Sequence, residues 1–172
     1  MPDSHLPSFV RIGGMDKQAL LSALRAHDIQ LNQAAENLFA DPRFTPTSSS
    51  VAIAIACLSV TELGFPSGAT YEQLTARALE LGLLECPLEL GPYLRLQFLE
   101  QPEAAGAVTE SQHRAPAGSI TVVSRVLDAT VETPKGFYLR QIAGRLWLRG
   151  YWSPPSHIWS PEDVLVFSAS AR

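Results

Sequence analysis

The hydrophobic residues in the first quarter of the chain recur at helical spacing. After Asp16, leucine and alanine residues lie three and four positions apart, which predicts a helix over about 16–27 with Asp16 as its N-cap. A second apolar stripe follows Asn32 and predicts a helix over about 33–40, which ends before Pro42 because proline disfavours helical backbone in the residue that precedes it. The connection between these helices is short, so we expect them to form a hairpin.

A strand and then a third helix are indicated upstream of Gly82. Isoleucine and valine alternate with alanine over residues 51–57, a pattern that favours a strand, although alanine-rich segments also form buried helices. Thr70 and Gln73 have the spacing of a capping box, in which each side chain bonds the backbone N–H of the other residue. We therefore predict a helix over about 70–81, with Gly82 at its end.

The second half of the chain has the short apolar segments and polar or Pro/Gly-rich breaks of an antiparallel sheet. Ala143 and Gly144 separate two of these segments and predict a tight hairpin turn. Residues 100–117 form a long polar connection. The predicted strands are 93–99, 119–127, 137–142, 145–152 and 164–169.

These elements predict an α+β fold, in which N-terminal helices pack on a C-terminal, mostly antiparallel sheet of about five strands. The helical part covers about residues 15–85 and the sheet about residues 90–170. We expect a single domain over 15–172, because a chain of 172 residues has the length of one domain with a substantial core. Residues 1–14 contain proline and glycine and show no hydrophobic period, so we expect a flexible N-terminal arm.

Composition limits the class of protein and of partner. With 46 % hydrophobic and 17 % charged residues, the chain can bury enough apolar surface to fold. Its net charge of −4 at pH 7 does not attract duplex nucleic acid or an anionic membrane, and we expect neither as a partner. The sequence has no apolar run of about 18 residues and no apolar leader, so we expect a cytoplasmic protein.

The cysteines, histidines and lysines lack the spacing of known catalytic or metal-binding motifs. Cys57 and Cys86 form no CxxC pair, so we expect two reduced, mostly buried thiols. The four histidines are not spaced as metal ligands, and we expect no metal and no cofactor. Neither Lys17 nor Lys135 belongs to the Gly-Lys-Ser/Thr of a phosphate-binding loop, which excludes an ATP-dependent helicase of that type.

An aromatic residue, a leucine and an arginine occur in the same order on three predicted strands. The copies are Tyr93-Leu94-Arg95, Tyr138-Leu139-Arg140 and Trp147-Leu148-Arg149. Because alternate side chains of a strand share a face, each copy would place its ring and its arginine on one face and its leucine on the other. The candidate ligand-binding residues are therefore Tyr93, Arg95, Tyr138, Arg140, Trp147 and Arg149.

This repeated pattern has two interpretations. Arginine binds phosphate or carboxylate through paired N–H donors and aromatic rings stack on planar groups, so the face fits a nucleotide, single-stranded RNA or an acidic protein. Alternatively, the arginine stems lie along neighbouring rings of a half-exposed sheet face without any ligand, each contact contributing about 0.5–1 kcal/mol. These strands contain no acidic residue, which keeps the ligand-binding interpretation open.

Four segments resemble a family of small bacterial proteins of unknown activity that automatic labels often describe as helicases. The segments fall within about residues 50–100 and 136–168, and LGFPSGAT and CPLELGPYLRLQ are the most specific parts. The full segments are LSVTELGFPSGATYEQLTARALELGL, CPLELGPYLRLQFLEQPE, GRLWLRGYW and HIWSPEDVLVF. The resemblance implies no catalytic residues, and the missing phosphate-binding loop disagrees with the helicase label.

We therefore expect a non-enzymatic binding or interaction module. Its aromatic and arginine face would contact an anionic ligand or a protein partner. The alternative hypothesis is a small enzyme that acts on a nucleotide or another phosphorylated substrate. In that enzyme the arginines would clamp the anion, and His113 or Glu89 would act as the acid or base.

Overall fold

The structure is a computed structural model that describes residues 6–104 and 117–169. Within these ranges the helices are α1 (Lys17–Ala26), α2 (Gln33–Ala40), α3 (Tyr71–Glu80) and α4 (Leu90–Gln97). The strands in the same ranges are β1 (Phe9–Ile12), β2 (Gln30–Leu31), β3 (Val51–Ser59), β4 (Ala69–Thr70), β5 (Leu83–Leu84), β6 (Ile120–Val122), β7 (Gly136–Ile142), β8 (Arg145–Tyr151), β9 (Ile158–Trp159) and β10 (Val164–Ala169).

The main sheet contains eight strands within the described ranges, and it draws on both halves of the chain. Strands β1, β3, β10, β6, β7, β8 and β2 lie side by side in that order, and β5 also pairs with β10. The β10–β6 and β2–β8 pairs are parallel, whereas the other pairs are antiparallel. Strands β4 and β9 form a separate antiparallel pair.

The prediction of a C-terminal sheet of about five strands was therefore wrong, because the main sheet has eight strands and four of them come from the N-terminal half. The α+β class is correct in outline. Strands β2, β4, β5 and β9 have two residues each, which is too short to show a period of two in the sequence. Their pairing depends on partners that are distant along the chain. A strand was also predicted over 119–127, but the observed strand β6 covers only Ile120–Val122.

The predictions of α1, α2 and α3 are confirmed, and their caps explain where they begin. The Asp16 carboxylate accepts a hydrogen bond from the Ala19 N–H at 2.8 Å. Thr70 and Gln73 form both bonds of the capping box at the start of α3. The expected α1–α2 hairpin is not the packing observed, because β2 separates the two helices in sequence, α1 packs on α4, and α2 packs on β8.

The strands predicted over 51–57, 137–142, 145–152 and 164–169 are confirmed as β3, β7, β8 and β10. Strand β1 lies within the segment that was expected to be a flexible arm. Val10 and Ile12 of β1 are buried, and the Gln97 side chain bonds both the backbone N–H and the carbonyl of Arg11, at 3.0 and 2.7 Å. These bonds satisfy backbone groups of β1 that would otherwise lie open at the edge of the sheet.

The predicted strand over 93–99 is wrong, because this segment belongs to α4. Leu90, Tyr93 and Leu94 are spaced for one helical face, and they are buried together with the residues between them. A segment that is buried on all sides does not show the polar stripe by which a surface helix is identified. Gly91 allows close packing, since a Cβ at this position would lie 2.7 Å from the Cβ of Phe137.

The main sheet has a hydrophobic core on each face. One core joins α1, α2 and α4 to the sheet and includes Leu24 and Leu94, whereas the second joins α3 and β9 to the sheet and includes Leu74. The neighbouring residues Val166 and Phe167 of β10 belong to different cores, as the alternation of side chains along a strand requires. The helices therefore cover both faces of the sheet, not one.

The two cysteines agree with the expectation of unpaired, mostly buried thiols. Cys57 and Cys86 are free cysteines, of which Cys86 is buried and Cys57 partly buried. In the described part of the chain, no helix is long and apolar enough to cross a membrane. The same residues contain no group of three or more His, Cys, Asp or Glu side chains that could hold a metal ion.

Candidate ligand-binding surface

The β7–β8 hairpin places two of the three aromatic-Leu-Arg copies side by side. Its turn consists of Ala143 and Gly144, which have φ values of 49° and 75° and thus the left-handed backbone of a tight hairpin. In the resulting register Tyr138 is opposite Arg149, and Arg140 is opposite Trp147. The rings and arginines of these two copies therefore share one face of the sheet, as predicted.

The guanidinium of Arg149 lies close to two aromatic rings on this face. Its Cζ atom is 5.2 Å from the ring centroid of Trp147 and 5.9 Å from that of Tyr138. Both distances are within the range of cation–π attraction. All three side chains are half-buried, so they are partly accessible to solvent.

Further rings continue from Tyr138 across the same face. The ring centroid of Tyr138 is 6.5 Å from that of Tyr151, and Tyr151 is 5.7 Å from Trp159 in an edge-to-face arrangement. His157 packs against Trp159 at 5.1 Å. We call the whole set the ring row; it consists of Trp147, Arg149, Tyr138, Tyr151, Trp159 and His157.

Arg140 shares the face of the ring row but is buried, with 3 % of its surface exposed. Its position follows from the register, which pairs it with Trp147. A guanidinium this deeply buried does not offer its donors to a ligand in solution. Arg140 and Arg149 occupy the same position in their triplets, but Arg140 is buried whereas Arg149 is partly exposed to solvent.

Arg95 lies in α4, on the opposite face of the sheet from Arg149, because α4 packs on the core face of β7 and β8. Its guanidinium is completely buried. It donates hydrogen bonds to the side-chain oxygen of Gln101 at 2.5 Å and to the backbone carbonyl of Phe98. Burial lowers the pKa of Arg95 to about 10. These contacts give Arg95 a role in holding the end of α4 to the sheet.

Tyr93 is likewise part of the core. Its hydroxyl oxygen accepts a hydrogen bond from the Met15 N–H at 3.1 Å, which ties α4 to the segment before α1. The ring is buried, with 4 % of its surface exposed. The first aromatic-Leu-Arg copy is thus separated from the other two, and the structure does not bring the six predicted residues to one surface.

Of the two residues proposed for acid–base chemistry, Glu89 and His113, the structure describes only Glu89. Glu89 is buried, and both of its carboxylate oxygens accept hydrogen bonds from Thr47, through the backbone N–H and the hydroxyl. This carboxylate therefore holds the loop that precedes β3. His113 lies outside the residues that the structure describes.

Tyr71 and Glu85 form a polar pair close to the ring row that was not predicted from the sequence. The Tyr71 hydroxyl donates a hydrogen bond to Glu85 at 2.5 Å, and burial together with this bond raises the pKa of Tyr71. Burial also raises the pKa of Tyr151, which lines the same cleft as Tyr71. Nothing in the spacing of these residues indicates their proximity, since they meet only when α3 packs on the sheet.

Comparison with known proteins does not extend this description. No family model matches the chain, and no curated protein or solved structure is significantly similar to it. The resemblance to the bacterial family noted above stays a prediction.

Proposed function

We propose that this protein is a binding module and that Trp147, Arg149 and Tyr138 contact an anionic ligand with a planar group. The observation that carries the proposal is the half-buried side chain of Arg149, whose Cζ atom lies 5.2 and 5.9 Å from the two ring centroids. A guanidinium positioned by rings loses less freedom when it binds an anion. The same rings offer faces on which a planar ligand can stack.

Because the chain has a negative net charge, attraction of an anionic ligand must come from positive groups at the contact itself. With a net charge of −4, the protein as a whole does not attract anions, so a positive group must act at short range. We therefore favour a small anionic ligand over duplex nucleic acid, which requires a broad positive surface.

The enzymatic alternative has less support. Glu89 is occupied by its hydrogen bonds to Thr47, so it is a poor candidate for a general base. Arg95 and Arg140 are buried, which removes two of the three arginines that were expected to clamp a phosphorylated substrate. We therefore propose binding rather than catalysis for this surface.

Titration of the protein with AMP tests the proposal, with adenosine and ribose 5-phosphate as probes that carry only the ring or only the anion. We expect AMP to bind most tightly and to quench the tryptophan fluorescence. Replacement of Arg149 by Gln should weaken AMP binding about tenfold or more, the loss expected for a charge-assisted contact. Arg145→Gln is the matched control, because Arg145 is in the same strand but outside the ring row, and its effect should be much smaller.

The circular dichroism spectrum and melting temperature of Arg149→Gln must match those of the wild-type protein for this comparison. A second variant, Trp147→Leu, should weaken binding of AMP and adenosine but affect ribose 5-phosphate little, since it removes a stacking face. Equal losses for Arg149→Gln and Arg145→Gln would contradict the proposal. So would the absence of binding of all three probes to the folded wild-type protein.

A further inference from the structure

A small cleft lies between the start of α3 and the segments that flank β7 and β8. Its volume is about 220 Å³. Its apolar lining includes Tyr71, Tyr151, Pro154 and Pro155. A dry cavity of about 150 Å³ is enough to hold benzene, so this cleft has room for one substituted six-membered ring.

Two of the rings that line the cleft are held in place by other contacts. The hydroxyl of Tyr71 donates to Glu85 at 2.5 Å and lies 3.2 Å from the carbonyl oxygen of Ser124. The ring of Tyr151 packs edge-to-face on Trp159. Rings fixed in this way form a preorganised site for a flat ligand, which does not have to order them on binding.

Two charged side chains, Lys135 and Glu72, also line the cleft. The Lys135 ammonium group has three donors, and it uses hydrogen bonds to the backbone carbonyls of Asp128 and Thr130. Within the described residues, the third N–H of this ammonium group makes no hydrogen bond. Glu72 lines the cleft too, and its carboxylate makes no hydrogen bond or ion pair with any residue in the described ranges.

We propose that this cleft binds a small, uncharged heteroaromatic ring that carries a carbonyl acceptor and an amino donor on the same edge, as cytosine does. Lys135 donates to the carbonyl group, and the Glu72 carboxylate accepts from the amino group, the pairing that carboxylates form with cytosine in nucleic-acid recognition. Tyr71 and Tyr151 supply the aromatic contacts. A ligand with a net charge is disfavoured, because an anion would meet Glu72 and a cation would meet Lys135.

This site is separate from the surface proposed above for anions. The two share a continuous line of rings through Tyr151, but Lys135 and Glu72 are not members of the ring row. Loss of AMP binding in Arg149→Gln therefore says nothing about the cleft. Cytosine binding in that variant should equal that of the wild-type protein.

Ligand-observed NMR on the full chain tests the proposal, with cytosine as the probe and unsubstituted pyrimidine as a ring that lacks the carbonyl and amino groups. We expect cytosine to bind and pyrimidine to bind at least tenfold more weakly. Glu72→Gln should weaken cytosine binding about tenfold, because a neutral amide is a poorer acceptor than a carboxylate. Glu80→Gln is the matched control, an exposed glutamate of the same helix that does not line the cleft.

Each result decides the proposal. Selective cytosine binding that falls in Glu72→Gln and persists in Glu80→Gln supports it. Equal binding of cytosine and pyrimidine overturns the assignment of the donor and acceptor, and equal effects of the two substitutions overturn the role of Glu72. If cytosine does not bind to the folded wild-type protein, the site itself is wrong.

Discussion

The side chain of Asn32 forms two hydrogen bonds with the backbone of Gly150, which is 118 positions further along the chain. The Gly150 N–H donates to Asn32 Oδ1 at 2.8 Å, and Asn32 Nδ2 donates to the Gly150 carbonyl at 3.0 Å. The same Oδ1 accepts from the Ala35 N–H at 2.9 Å and caps α2. One amide therefore continues the pairing of β2 with β8 and starts a helix.

Replacement of Asn32 by Ala should destabilise the protein by about 2–4 kcal/mol. It removes an N-cap, worth about 1 kcal/mol, and leaves two backbone groups of Gly150 without partners. Urea unfolding measures the change. Asn32→Asp should lose less stability than Asn32→Ala, since its carboxylate still accepts hydrogen bonds from the N–H groups of Ala35 and Gly150. Gln33→Ala, at an exposed neighbouring position, should cost under about 0.5 kcal/mol; a similar loss in both variants would contradict this account.

Replacement of Gly91 by Ala should destabilise the protein by about 1–3 kcal/mol, because the new methyl group would lie 2.7 Å from Phe137 Cβ. The melting temperature measures this effect. The closest ring atom of Phe137 is 2.8 Å from the same position, so Phe137→Leu should relieve part of the clash. The double variant should therefore be more stable than the sum of the two single effects predicts. Strict additivity would contradict the contact.

Cys86 and Cys57 should differ strongly in reactivity toward a maleimide. Burial raises the pKa of Cys86 to about 12, and this residue is completely buried, whereas Cys57 is partly buried. At about pH 8 the native protein should be labelled at Cys57 and at least 100-fold more slowly at Cys86, as mass spectrometry can show. In guanidinium chloride both thiols should react. Fast labelling of Cys86 in the native protein would contradict its position.

The same thiol makes stability depend on pH in the alkaline range. The unfolded chain loses the Cys86 proton near its usual pKa of about 9, but the folded protein holds it to about pH 12. The folded state therefore binds more protons between these values, and stability falls as pH rises through this window. From about pH 8 to pH 10, the wild-type protein should lose more stability than Cys86→Ala. Parallel losses in the two proteins would contradict the assignment.

Arg43 connects the carboxylates of Asp41 and Asp128, which are distant from each other in sequence. It forms ion pairs with Asp41 at 2.7 Å and Asp128 at 2.6 Å. Hydrogen bonds from Arg43 lower the pKa of Asp41 to about 2, and bonds from Thr130 and Arg43 hold the pKa of Asp128 even lower. Both pKa values are lower in the folded state, so any stabilisation is present above about pH 4 and lost as pH falls through the folded-state pKa values.

Arg43→Gln should therefore raise the pKa of both aspartates, which NMR titration of their carboxyl carbons can measure. The pKa of Asp41 should rise more toward the usual value, because Asp128 retains its bonds to Thr130 and Thr133. Arg77→Gln is the control, since Arg77 pairs only with Glu80 among the described ion pairs. If Arg43→Gln leaves both titrations unchanged, the ion pairs do not form in solution.

The sequence by itself determined the elements whose signals are local. Asp16, Asn32 and the Thr70–Gln73 box set the starts of three helices, because a cap bonds a backbone group only two or three residues away. The alternation in β7 and β8 was sufficient to place Tyr138 and Arg149 on one face. Alternate side chains of a strand share a face, and the Ala143-Gly144 turn sets the register of β7 with β8, so this arrangement does not depend on the rest of the chain.

The tertiary structure alone decided which of these residues reach the surface. The segment around Arg95 has the same triplet as β7 and β8, but it forms the helix α4, and the packing of α4 buries the Arg95 guanidinium in a network with Gln101. Two-residue strands form only where distant partners supply their hydrogen bonds. Tyr71 and the ring row meet for the same reason. Their contacts depend on how α3 and β9 pack on the sheet, which no local pattern encodes.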